Sequence, residues 1–87
     1  MKKFMLSPKT LMDPDCAEYF WINWMLGEKM SDSEIEKYII KSFGGDHDIA
    51  LTMINVCRGG ATRSELCKLV EQKNMHLKNN SLLHSSD

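Results

Sequence analysis

Two glycine pairs, Gly44-Gly45 and Gly59-Gly60, each followed within two residues by a helix-capping side chain, do most to limit what this chain can become. Glycine adopts the left-handed backbone that ends a helix without a side-chain penalty. A Ser, Thr or Asp just beyond it accepts hydrogen bonds from the free N–H groups that open the next helix. Stop and start signals this close together cut the chain into short helices joined by tight turns. Ser31-x-x-Glu34 and Thr62-x-x-Glu65 are capping boxes, and Met30 and Ile35 stand at the two positions of a hydrophobic staple. Asp46 or His47 opens the segment between the two glycine pairs.

Apolar spacing fills in the helices. Asp13-Pro14 reads as an N-cap followed by proline at the first helical position, and Gly27 as a left-handed stop, giving a first helix over about residues 14–26. Ile35, Tyr38, Ile39 and Phe43 line one face of a second helix that ends at Gly44-Gly45. Ile49, Met53, Ile54 and Cys57 line a third, which stops at Arg58-Gly59-Gly60. Leu66, Leu69 and Val70 share a face of a fourth, over about residues 63–72, and a short fifth is expected around residues 75–83. No stretch alternates β-branched and aromatic residues as a strand would. The expectation is an all-α fold: a single domain over residues 1–87, built as a small bundle of four to five short helices with a candidate helix-turn-helix near the C-terminus. Residues 1–13 are expected to form an N-terminal arm, 14–43 the aromatic and acidic helices that drive assembly, and 46–84 the helix-turn-helix region.

With 87 residues, the chain removes only about two thirds of its unfolded surface from water, which leaves no room for a second core. Three cysteines without a C-x-x-C pair argue against a disulfide framework and a zinc knuckle. Cys57, Cys67, His76 and His84 are separated by nine, eight and seven intervening residues, not by the close paired spacing of metal ligands. No metal, cofactor or catalytic residue is therefore expected, and none of the nucleophile or phosphate-loop motifs is present. The start, Met1-Lys2-Lys3-Phe4-Met5-Leu6, resembles a signal peptide until Ser7-Pro8 stops its apolar stretch. No apolar run approaches the roughly 18 residues of a membrane span. A cytoplasmic protein that does not enter a membrane is expected.

Two features carry functional expectations. The block Tyr19, Phe20, Trp21, Trp24 and Met25 wraps apolar side chains nearly all round the first helix, and four other elements cannot cover it on every side. Tyr19, Phe20, Trp21, Trp24 and Met25 are thus candidates for an oligomer or partner interface. Three alternatives are open: a core helix with one tryptophan half exposed, self-association into a homo-oligomer, or capture of a foreign protein. The second feature is charge. Net charge is −1, but residues 1–30 sum to 0, residues 31–57 to −3 and residues 58–87 to +2. Arg58, Arg63, Lys68, Lys73 and Lys78 all lie in the last third, and His76 can add a hydrogen bond, so these six are candidate contacts to double-stranded DNA. Counted from Arg63, the residues Leu66, Cys67, Val70 and Leu77 fall on apolar and small positions of a helix-turn-helix. Glu71, Gln72 and Asn80 depart from the pattern.

Met53, the segment Gly59-Gly60-x-x-Arg63-x-Glu65-x-Cys67, Asn74 and the pair His76-Leu77 together resemble the PapB-type transcription regulators of fimbrial adhesin operons. The likeness covers about residues 46–83. It implies an oligomeric DNA-binding regulator with Arg63, Lys68, Lys73, His76 and Lys78 as contacts. The chain departs from that pattern in its additional acidic helix at residues 31–43 and in lacking late basic residues. The leading expectation is a small dimeric or higher-order transcription regulator. The alternative is a small phage or mobile-element inhibitor that binds a host protein through the aromatic helix and the acidic face of Asp32, Glu34, Glu36, Asp46 and Asp48.

Overall fold

The computed structural model describes residues 2–85, with side chains described through His76. It is all-α: α1 (Pro8–Met12), α2 (Ala17–Gly27), α3 (Asp32–Phe43), α4 (His47–Arg58) and α5 (Arg63–Ser85), with no strand among the described residues. Three helix starts follow from their caps. Ser31 Oγ accepts from the Glu34 N–H at 3.2 Å, Asp46 Oδ1 from that of Ile49 at 3.0 Å, and Thr62 Oγ1 from that of Glu65 at 3.1 Å. Gly59 is left-handed at φ 83°, where the Gly60 N–H returns to the Asn55 carbonyl at 2.8 Å and closes α4. Ile35 and Ile39 of α3 meet Ile49, Met53 and Ile54 of α4 in the centre of the core, all fully buried.

The N-terminal residues do not form a loose arm. Ser7 caps α1 through the Thr10 N–H at 3.2 Å, with Pro8 at the first helical position, the same signature expected six residues later. Phe4 and Leu11 are buried. Lys2 and Met5 pair with the α3–α4 turn, the Gly45 N–H reaching the Lys2 carbonyl at 2.7 Å and the Met5 N–H the Phe43 carbonyl at 2.8 Å. Asp13-Pro14 in turn does not start a helix. Asp13 folds a turn by accepting from the Asp15 N–H at 2.9 Å, and α2 begins only at Ala17, after Cys16.

Two further boundaries differ from expectation. Gly27 is an ordinary last residue of α2, and the left-handed position is taken by Lys29 at φ 61°. The Lys29 and Met30 N–H groups return to the Leu26 and Met25 carbonyls at 3.1 and 3.2 Å, the paired bonds of a Schellman ending. The left-handed stop thus lies two residues past the glycine. Exchanging the two roles, Gly27→Ala with Lys29→Gly, is expected to raise stability by about 1–2 kcal/mol in urea melts. Alanine at 27 meets nothing within 4 Å, and glycine at 29 relieves left-handed strain.

The larger difference lies at the C-terminus. The helix expected to stop near Gln72 and the short one expected after it are a single element, α5, so the predicted helix-turn-helix between them is not formed. No glycine or proline occurs between Arg63 and Ser85, and nothing covalent stops the helix there. At 23 residues α5 is about 35 Å long. It packs on α1 and α4 through Leu66, Cys67 and Val70.

Candidate functional site

The helical period of α2 separates its apolar side chains. Tyr19, Ile22 and Met25, three residues apart, turn inward onto the core, whereas Phe20, Trp21 and Trp24 turn outward. Tyr19 and Met25, expected at the interface, are 5% exposed and belong to the core, and the Tyr19 hydroxyl donates to the Leu11 carbonyl at 2.9 Å. Phe20, Trp21 and Trp24 keep 65%, 50% and 51% of their surface. They are stacked edge to face, with ring centroids 5.9 Å apart for Phe20 and Trp21 and 6.2 Å for Trp21 and Trp24.

Tyr38, on α3, extends this face. It is 39% exposed and set edge to face on Phe43 at 6.2 Å. Between the two helices lies an apolar groove of about 320 Å³ lined by Trp21, Trp24, Met25, Met30 and Tyr38. Met30 reaches it because the Schellman ending of α2 folds the chain back over Met25. Tyr38 was expected among the core residues of its helix, and only the placement of α2 beside α3 brings it to the tryptophans.

The candidate cations are dispersed and mostly engaged. Arg58 forms a two-pronged ion pair with Asp32, one arm at 2.8 Å, and this guanidinium holds the Asp32 carboxyl below the usual carboxylate range. Arg63 donates to the Asp13 carbonyl at 3.0 Å and lies 4.5 Å over the Tyr19 ring, tying α5 to α2. Lys73 reaches Asp46 at 3.0 Å and Asp48 at 3.1 Å, which fastens α5 to the start of α4. Lys68 and His76 are exposed, and the side chain of Lys78 lies outside the described residues. Lys68 is flanked on α5 by exposed Glu65 and Glu71, so the outward face of the helix is of mixed sign. The acidic residues are similarly divided: Glu36 meets His47 at 3.0 Å, and only Glu34 of the acidic set is without a partner among the described residues.

The Lys73 clamp gives a pH dependence. Partial burial works against the charge on Asp46, but the Ile49 N–H and the Lys73 ammonium outweigh it, and the carboxyl titrates below its usual 3.8. A lowered folded-state pKa adds stability above the unfolded value that is lost as pH falls through the folded one. Asp46→Asn keeps an acceptor for Ile49 but loses the charge. It is expected to lower stability at pH 7 by about 0.5 kcal/mol and to remove part of the acid-side slope below pH 3.8 seen in urea melts of the unaltered protein.

The three thiols are unsuited to reaction. Burial pushes Cys57 up to about 11 and raises Cys16 and Cys67, so all three are protonated at neutral pH. Among the described residues no three His, Cys, Asp or Glu side chains gather as metal ligands, and no helix is long and apolar enough to cross a membrane. A second, more open hollow of about 510 Å³ lies at the start of α2, between Pro14, Phe20, Asn23 and Arg63. No family model, no curated protein and no solved structure matches this chain.

Proposed function

We propose that this protein acts by binding another protein surface through the aromatic face of α2 and α3, as a small interaction module and not as a catalyst. The observation that carries this reading is the exposed set of Trp21, Trp24 and Tyr38 along an apolar groove, with exposed Phe20 stacked on Trp21 beside it. Rings of this size, held rigid by edge-to-face contacts, supply most of the energy of protein interfaces and lose little entropy on binding. A face of this kind left in water is unusual for a small monomer.

The regulator reading is the second proposal, in the form of a DNA-binding assembly. Its support is the +2 balance of residues 58–87 and the exposed Lys68 and His76 on α5. Arg58, Arg63 and Lys73, engaged within the chain, would have to exchange those partners for phosphates, and exposed pairs are weak enough to do so. The protein-binding reading needs no such exchange, which places it first.

Trp21→Ala with Trp24→Ala tests it. Both side chains point outward, so the helical circular dichroism should persist. Association with itself or with proteins of a cell extract on affinity capture should fall at least a hundredfold, since two truncated anchors cost about 2 kcal/mol or more each. Capture equal to that of the unaltered chain would exclude the aromatic face. In the same series, a salt-sensitive shift onto a 30-base-pair duplex, weakened by Lys68→Glu, would support DNA contact by α5.

A further inference from the structure

The aromatic face has a pattern of charge at its edge that specifies its occupant. On α3, Glu34, Tyr38 and Lys41 are spaced four and three residues apart and form one exposed stripe. The stripe is acidic at one end and basic at the other, and Tyr38 stands within one residue of its midpoint. When such a stripe is turned by a two-fold axis through its middle, each acidic end meets a basic end. A two-fold interface demands this self-complementarity, because every contact in it is made twice. The apolar part meets the same condition. Trp21 and Trp24 line the same groove as Tyr38, so turning the face about that axis sets the aromatic rings of one copy against those of the other.

The area is also sufficient. Four aromatic side chains that bury about 200 Å² each when covered, and are now 39–65% exposed, leave on the order of 400 Å² uncovered per chain. Two copies would bury about 800 Å² of aromatic surface. Homodimer interfaces are about two thirds apolar, which brings the total with its polar edge to about 1,200 Å², the lower end of stable specific interfaces.

We propose that the occupant of this face is a second copy of the chain, docked two-fold with the α3 helices antiparallel across Tyr38, so that Glu34 of each faces Lys41 of the partner subunit. The inference rests on the protein-binding reading above and names its partner. A foreign protein has no need of a face whose charges complement themselves.

Sedimentation velocity on the full chain between about 5 and 500 μM, at low salt, tests the arrangement. The unaltered chain should sediment as a dimer. Glu34→Lys alone and Lys41→Glu alone should each weaken the dimer about tenfold, because like charges then meet at both ends of the stripe. An equimolar mixture of these two single variants should recover the affinity of the unaltered chain, since every pair in the mixed dimer is again of opposite charge. That recovery also separates the interface from any loss of folding in either variant. A monomer across the whole range overturns the second copy as occupant. A dimer indifferent to the single changes, or a mixture that does not recover, overturns the antiparallel docking. The protein-binding reading itself falls only if Trp21→Ala with Trp24→Ala leaves every association intact, so the two failures are distinct.

Discussion

Gly44→Ala is expected to destabilise the protein by about 3 kcal/mol or more, the largest effect of any glycine substitution in the chain. Gly44 adopts φ 82° and ψ −155°, a region essentially closed to residues with a Cβ, and that strain alone costs about 1–3 kcal/mol. A Cβ there would also overlap the backbone carbonyl of Lys3, with its carbon only 3.2 Å away. A backbone atom cannot swing aside as a flexible side chain can, so the N-terminal segment must lift off the α3–α4 turn. Gly59→Ala is the appropriate control. Its φ of 83° is nearly the same, but nothing lies within 4 Å of the added carbon, and its expected cost is about 1 kcal/mol. The difference between the two, read from urea midpoints at unchanged slope, measures the overlap with Lys3. Equal costs would show that the segment does not press on Gly44.

Phe4→Ala should remove about 3–4 kcal/mol by a related route. Phe4 is 1% exposed, and its ring also packs at the place where a side chain at Gly45 would lie, 3.0 Å from that Cβ position and next to Ile49. Truncation removes a fully buried aromatic ring from the core and leaves a void, or frees the segment to detach. Either way the Met5 and Gly45 amides, which bond across the segment and the turn, should lose protection from hydrogen exchange in both variants. The double variant Gly44→Ala with Phe4→Ala should cost at least about 1 kcal/mol less than the sum of the two, because once the segment has lifted the second change has little left to break. Additive costs would mean that the two residues act independently.

These effects converge on a segment whose role the sequence conceals. Phe4 is one apolar residue between two lysines and a methionine, in no helical or strand period, and reads as the start of an arm. Its burial depends on a turn some 40 residues later, at Gly44-Gly45. The helix starts at Ser31, Asp46 and Thr62 and the stop at Gly59 are legible because each is settled by hydrogen bonds between residues three to five apart. The start of α1 was equally legible, since Ser7-Pro8 has the same form as Asp13-Pro14. Choosing between the two depends on the Tyr19 hydroxyl, which donates to the Leu11 carbonyl at the end of α1 from a helix that starts later, at Ala17.

The candidate site divides in the same way. The sequence itself determined that this is an all-helical chain, that α3 and α4 each carry an apolar face, and that its aromatic residues concentrate on one helix. It could not determine which of those aromatics remain in water. Phe20, Trp21 and Trp24 are left uncovered because α4 takes only the Tyr19, Ile22 and Met25 side of α2, and Tyr38 joins them only because α3 returns alongside. The cations show the converse. Arg58, Arg63 and Lys73 form a basic cluster in sequence, but folding brings Asp32, the Asp13 carbonyl and the Asp46–Asp48 pair to them from up to 50 residues away. Helix caps and periods are properties of neighbours along the chain. The face a protein offers to its partners is whatever the packing of distant segments leaves uncovered, and that is decided only in three dimensions.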